Sequence, residues 1–145
     1  MTLLPDSAAR TRVESDTAAT LFVEAGAGTG KTRALVHRLS ALLLDDGIPI
    51  EQLAAITFTE KAAAELRDRL RMHLVGERGR PDRRAETALA GLDTSAIGTL
   101  HSFALRLLSE NPLEAGIPPQ VTAQQSTAED AAVEAMWQEC AAILF

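Results

Sequence analysis

A chain of 145 residues that is 46% apolar can hold one sizeable core and is short for two domains of ordinary size. Its formal net charge of -6, from 14 Lys+Arg against 20 Asp+Glu, argues against nucleic-acid binding through bulk charge. The basic character is local: residues 60–84 carry 8 basic and 5 acidic side chains, whereas residues 85–145 carry 1 and 8. The single cysteine, Cys140, can make neither an internal disulfide nor a thiolate metal site and reads as a buried, inert thiol. Pro5, Asp6, Arg10 and Arg12 precede any apolar segment, and no apolar run approaches the roughly 20 residues of a membrane span. The expectation is a soluble, cytoplasmic chain without a membrane partner.

In chain order, Thr20 to Glu24 reads as a strand and Lys31 to Asp46 as a helix with Leu35, Leu39 and Leu42 on one stripe, stopped by Gly47 and Pro49. Leu53 to Phe58 is a second strand, and Glu60 to Leu74 a second helix with Ala63, Leu66, Leu70 and Leu74 in line. Gly76 to Glu86 is a polar, basic loop, read as solvated, with phosphate contact as the alternative. A short strand at Ser95 to Ile97 leads into a third helix whose inner face is Leu100, Phe103, Ala104, Leu107 and Leu108. Beyond the Pro118-Pro119 break, Gln120 to Thr122 reads as strand-like. Ser126 to Glu129 is a capping box opening a last helix with Val133, Met136, Trp137, Cys140 and Leu144 inward. Strands alternating with helices predict an α/β fold, a parallel sheet flanked by helices.

Between the first strand and its helix lies Ala25-Gly-Ala-Gly-Thr-Gly-Lys-Thr32. A phosphate chain needs several backbone N–H groups aimed at one point, hence glycines, with a helix N-terminus behind them. Gly26, Gly28 and Gly30 suit that need. Lys31 suits the outer phosphates, and the Thr32 hydroxyl suits the Mg2+ ion that accompanies them. The nucleotide-binding candidates are therefore Ala25, Gly26, Ala27, Gly28, Thr29, Gly30, Lys31, Thr32 and Arg33, with Lys31 and Thr32 as the catalytic pair and Thr32 as the metal ligand. Ala25 stands where the strict phosphate-loop pattern has glycine, and an ordinary glycine-rich turn is the bland alternative.

Hydrolysis needs more: an acid to hold magnesium and a group to orient water, usually at the end of a second strand. Asp45 and Asp46 follow an apolar run, but they continue the helix that starts at the loop, about 14 residues or ~20 Å along the axis from Lys31. No other apolar strand here ends in Asp or Glu. Negligible ATPase by this chain alone is expected.

Two further stretches follow the glycine loop: Ile56-Thr-Phe-Thr-Glu-Lys-Ala-Ala-Ala-Glu-Leu66 and Ile97-Gly-Thr-Leu-His-Ser-Phe103. In that order the three stretches resemble superfamily 1 DNA helicases of the UvrD/Rep/RecB group, and Val23-Glu24 is closer to the RecB and AddA branch. The resemblance is strong from about Ala19 to Leu108 and weak from Pro118 to Phe145, where the family begins its helical insertion. It implies a RecA-like P-loop NTPase sheet, incomplete here, with a C-terminal helical segment. Residues 1–112 would be the N-terminal part of the ATP-binding domain and 113–145 the start of the insertion. It further implies ATP and Mg2+ as cofactors and single-stranded DNA as partner, contacted by Thr57, Phe58, Thr59, Lys61, Thr99, His101, Ser102 and Phe103.

The implied function is the N-terminal ATP-binding part of an ATP-dependent DNA helicase or translocase in DNA repair or recombination. Its remaining domains would lie in the same chain or a partner subunit, and the possible companions include a nuclease, as a further domain or a separate subunit. The alternative is a fragment that holds nucleotide or single-stranded DNA without turnover; a small P-loop kinase or GTPase would need motifs not visible here. The family's upstream, adenine-reading glutamine has no counterpart between Thr2 and Thr20, where Ser7 or Ala9 stands near its place. Phe58 and Phe103 have a core reading beside the DNA one, His101 a capping or packing one, and Trp137 reads as core.

Overall fold

The computed structural model describes residues 6–26 and 28–117. The predicted features from Pro118 onward, including the capping-box helix with Trp137 and Cys140, lie outside the described residues. Contacts divide the chain into two units, Met1–Phe103 and Ala104–Phe145.

The first unit begins with a helix the periodicity does not announce, α1 (Ser7–Ser15). It is polar and buries no residue. The next helix, α2 (Lys31–Leu44), ends two residues before the expected Asp46. Its buried stripe is Val36, Leu39, Leu43 and Leu44, so the expected stripe through Leu35 and Leu42 is out of phase. A turn of 3-10 helix at Ile50–Gln52 leads to β1 (Ala54–Thr57), followed by α3 (Glu60–Gly76). Ala63, Leu66, Leu70 and Leu74 are buried on α3 as their spacing predicts.

Within the predicted basic loop a short helix forms, α4 (Arg84–Gly91), seated on Ala85 and Ala88. After Leu92–Thr94, β2 (Ala96–Thr99) pairs parallel to β1 with Ala54 opposite Ala96 and Thr57 opposite Thr99. The connection from β1 to β2 runs through α3 and α4, as a parallel pair requires. The core lies between α2, α3, α4 and this strand pair, with Leu74 and Leu92 fully buried. Each such leucine contributes about 1.5–3 kcal/mol.

Two expectations are corrected. Thr20–Glu24 forms no regular strand, and Phe22 is 94% exposed. A strand needs a neighbour to satisfy its backbone, and the only sheet among the described residues is the two-stranded β1–β2 pair. The helix after β2, α5 (Leu100–Glu110), forms as expected, but its apolar stripe buries nothing, and Leu100, Leu107 and Leu108 are exposed. No layer among the described residues covers that stripe. In the second unit α5 continues to Glu110, where Asn111 bonds the Leu107 carbonyl, and α6 (Pro112–Ala115) follows, ending at Gly116. Among the described residues, no helix is long and apolar enough to cross a membrane.

Candidate functional site

The glycine loop enters α2 with Gly28 at φ +74° and Gly30 at φ +89°, backbone conformations that side-chain-bearing residues rarely adopt. Gly30 is the N-cap of α2, and the first helical hydrogen bond runs from the Ala34 N–H to the Gly30 carbonyl. The N–H groups of Lys31, Thr32 and Arg33 therefore have no acceptor inside the helix and add to the positive end of its dipole. No atom lies within 4 Å of the point where a side chain on Gly28 would begin, so the loop backbone is open there.

The loop is cross-tied from within. Lys31 Nζ donates to the carbonyls of Ala25 at 2.6 Å and Gly26 at 2.8 Å. Thr29 Oγ1 donates to the Gly26 carbonyl at 2.8 Å. Open backbone donors, a lysine at the loop mouth and a helix N-terminus form a donor set that fits a phosphate chain. Of the nine predicted nucleotide-binding residues, Ala27 lies outside the described residues; the others all sit in the loop or the first turn of α2. Asp45 caps the opposite end of α2 and pairs with Arg80 at 3.1 Å, in keeping with its exclusion as a catalytic acid.

The predicted DNA residues gather at the C-terminal end of the β1–β2 pair, where Thr57 stands opposite Thr99. Thr57 Oγ1 donates to the Thr59 carbonyl at 3.0 Å. Thr59 is the N-cap of α3 and accepts from the Ala62 N–H. Thr99 does the same for α5, accepting from the Ser102 N–H at 3.2 Å, while Ser102 Oγ donates to the Thr99 carbonyl. The Thr99 hydroxyl, in a residue only 7% exposed, donates across to Glu60 Oε1 at 3.0 Å. Glu60 thus joins the two loops. Phe58 is 99% exposed, which removes its core reading; Lys61 and His101 are exposed and Phe103 is half-buried. Among the described residues no hydrogen bond joins the glycine loop to Thr57–Lys61 or Thr99–Phe103.

Sequence reasoning missed three arginines that hold this frame. Arg10 donates from Nη1 to the Thr29 carbonyl at 2.9 Å and is held by Asp6 at 2.7 Å. The hydrogen bond from Arg10 keeps the Asp6 carboxyl below its ordinary range, and the same contact raises the Arg10 guanidinium. Arg38 donates to four carbonyls, those of Val13, Asp16, Thr17 and Ala19, at 2.8 to 3.3 Å. Arg84 donates to the Leu44 and Asp45 carbonyls at the end of α2. No periodic pattern marks an arginine whose partners are backbone carbonyls far along the chain.

The architecture defines an α/β chain whose glycine loop suits phosphate and whose two strand-to-helix loops open at one sheet edge. The chain belongs to the UvrD/REP helicase N-terminal domain family, whose sequence profile matches residues 6–142. It is 43% identical over 97 residues to DNA helicase II of Haemophilus influenzae, covering 67% of this chain and 12% of that protein. With DNA helicase II of Escherichia coli it shares 40% over 98 residues, covering 68% and 12%. With an ATP-dependent helicase/nuclease protein of Ligilactobacillus salivarius it shares 36% over 107 residues, covering 70% and 8%. The chain therefore spans about a tenth of the length of these relatives.

Proposed function

We propose that this chain is the ATP-binding front part of an ATP-dependent DNA helicase or translocase, built on a RecA-like P-loop fold and working in DNA repair or recombination in the cytoplasm. Residues 1–112 form the start of the nucleotide domain and 113–145 the start of a helical insertion. Lys31 neutralises the outer phosphates, Thr32 supplies the protein oxygen for Mg2+, and the N–H groups from Gly28 to Arg33 line the phosphate chain. When bound, MgATP supplies the phosphoryl group whose transfer to water powers a motor.

Phe58 and Phe103 offer rings to bases, Lys61 and His101 reach phosphates, and Thr57, Thr59, Thr99 and Ser102 shape the two loops that carry them. The partners are single-stranded DNA and the remaining helicase domains. The helicase/nuclease relative extends the proposal to a nuclease, whether a further domain or a separate polypeptide. The observation that carries this reading is Lys31 at the N-terminus of α2 behind two glycines of positive φ, in a chain whose family is that of UvrD/REP helicases. Titration calorimetry with MgADP tests it: the wild type binds, and Lys31→Ala binds at least tenfold more weakly. Equal affinities would sink the loop assignment.

A further inference from the structure

The contact between Arg10 and Thr29 crosses 19 residues of sequence and joins α1 to the middle of the glycine loop. Thr29 sits between Gly28 and Gly30, the two residues of positive φ. In a planar trans peptide the carbonyl and the following N–H point in opposite directions, so whatever holds the Thr29 carbonyl also sets the direction of the Gly30 N–H. Arg10 lies flush with this peptide: a side chain begun at Gly30 would meet Arg10 Nη1 at 3.5 Å. Its guanidinium is oriented in turn by Asp6, which accepts from Nε at 2.8 Å and lies 2.7 Å from Nη2.

The helix that presents Arg10 is itself anchored. Arg38 of α2 bonds the Val13 and Asp16 carbonyls at the far end of α1, so α1 is tied to α2 at one end and to the loop at the other. A surface ion pair alone would carry little. Here the pair is one link of a chain that runs from Asp6 through Arg10 to the loop backbone.

We propose that Arg10, oriented by Asp6, is a positioning residue of the phosphate loop: by holding the Thr29 carbonyl it aims the Gly30 N–H into the loop toward a bound diphosphate. This rests on the nucleotide reading above. Arg10 touches backbone only, and its effect on phosphate runs through that one peptide. Lysine at this position keeps the charge but loses the planar fork that bonds carboxylate and carbonyl together.

The test is MgADP calorimetry on the 145-residue chain and its Arg10→Ala, Arg10→Lys, Asp6→Asn and Lys31→Ala variants. It is accompanied by the phosphorus NMR shift of the bound β-phosphate and by thermal unfolding of each variant. Arg10→Ala is expected to weaken MgADP about tenfold, the size of losing one charged hydrogen bond, and to shift the β-phosphate resonance. Arg10→Lys and Asp6→Asn are expected to weaken it less, with wild-type unfolding. Wild-type affinity in Arg10→Ala beside a weakened Lys31→Ala overturns this inference alone. If Arg10→Ala loses binding by unfolding, wild-type affinity and phosphorus shift in both Arg10→Lys and Asp6→Asn overturn it. Equal affinity in Lys31→Ala and wild type overturns the nucleotide reading, and this inference with it.

Discussion

Arg38 places one guanidinium among four carbonyls at the start of the chain, and removing it leaves all four without that donor. Arg38→Ala is expected to destabilise the chain by about 2 kcal/mol or more, seen as a lower urea midpoint, because hydrogen bonds to a charged group are worth about 1.5–3 kcal/mol. Arg38→Lys should recover only part, since one ammonium cannot span the four acceptors. A midpoint unchanged in Arg38→Ala would show that water replaces the clamp at no cost.

The Asp6–Arg10 pair adds a dependence on acid. The Asp6 carboxyl is held below its ordinary value of 3.8, so its contribution is fully present above that value and is lost as pH falls through the lower folded value. Wild type should therefore exceed Asp6→Asn in urea midpoint at pH 7, and the difference should close in strong acid. A difference that persists there would mean that the carboxylate charge is not what holds Arg10. At this scale the glycine loop was readable because its chemistry is contiguous in sequence. Arg10 and Arg38 were not, because their acceptors lie 19 to 25 residues away.

Among the elements, α3 and the two strands were legible from pattern alone. Four inward residues at helical spacing set the face of α3, and β1 falls inside the expected Leu53 to Phe58. The short helices α1 and α4 were not: α1 buries nothing, and α4 buries only alanines, too small to print a stripe. On α2, leucines occupy more than one face, so packing against α1, α3 and α4 chose Val36, Leu39 and Leu43 over Leu35 and Leu42. The Thr20–Glu24 strand failed for a non-local reason, since alternation specifies a strand only when a partner is present to bond it.

The two strand-to-helix loops carry a prediction of their own. In fluorescence anisotropy at low salt, Phe58→Ala should weaken single-stranded oligonucleotide binding about tenfold, the scale of one stacked base. Lys61→Ala should weaken it and flatten its salt dependence. The control is Arg78→Gln/Arg83→Gln, which spares Arg80 and Arg84, because those two hold Asp45 and the end of α2. If only that control loses binding, contact runs through the basic loop and the two sheet-edge loops are not the DNA site.

For the whole molecule, the proposal separates binding from turnover. The chain carries a phosphate loop and belongs to a helicase family, yet it covers about a tenth of its relatives and has no apolar strand ending in a magnesium-holding acid. Without that acid, and without an arginine from a second domain, the charge that builds in the transition state goes unstabilised, at a cost of about 10³ or more in rate from the arginine alone. The most direct measurement is a single-turnover experiment in which excess protein is mixed with labelled MgATP, and protein-bound nucleotide and released phosphate are followed together, with Lys31→Ala in parallel and single-stranded DNA present or absent. The predicted result is bound ATP in the wild type that is lost in Lys31→Ala, with phosphate release no faster in one than in the other and unchanged by DNA. Nucleotide retention that survives Lys31→Ala, or DNA-stimulated phosphate release by the wild type, would contradict it.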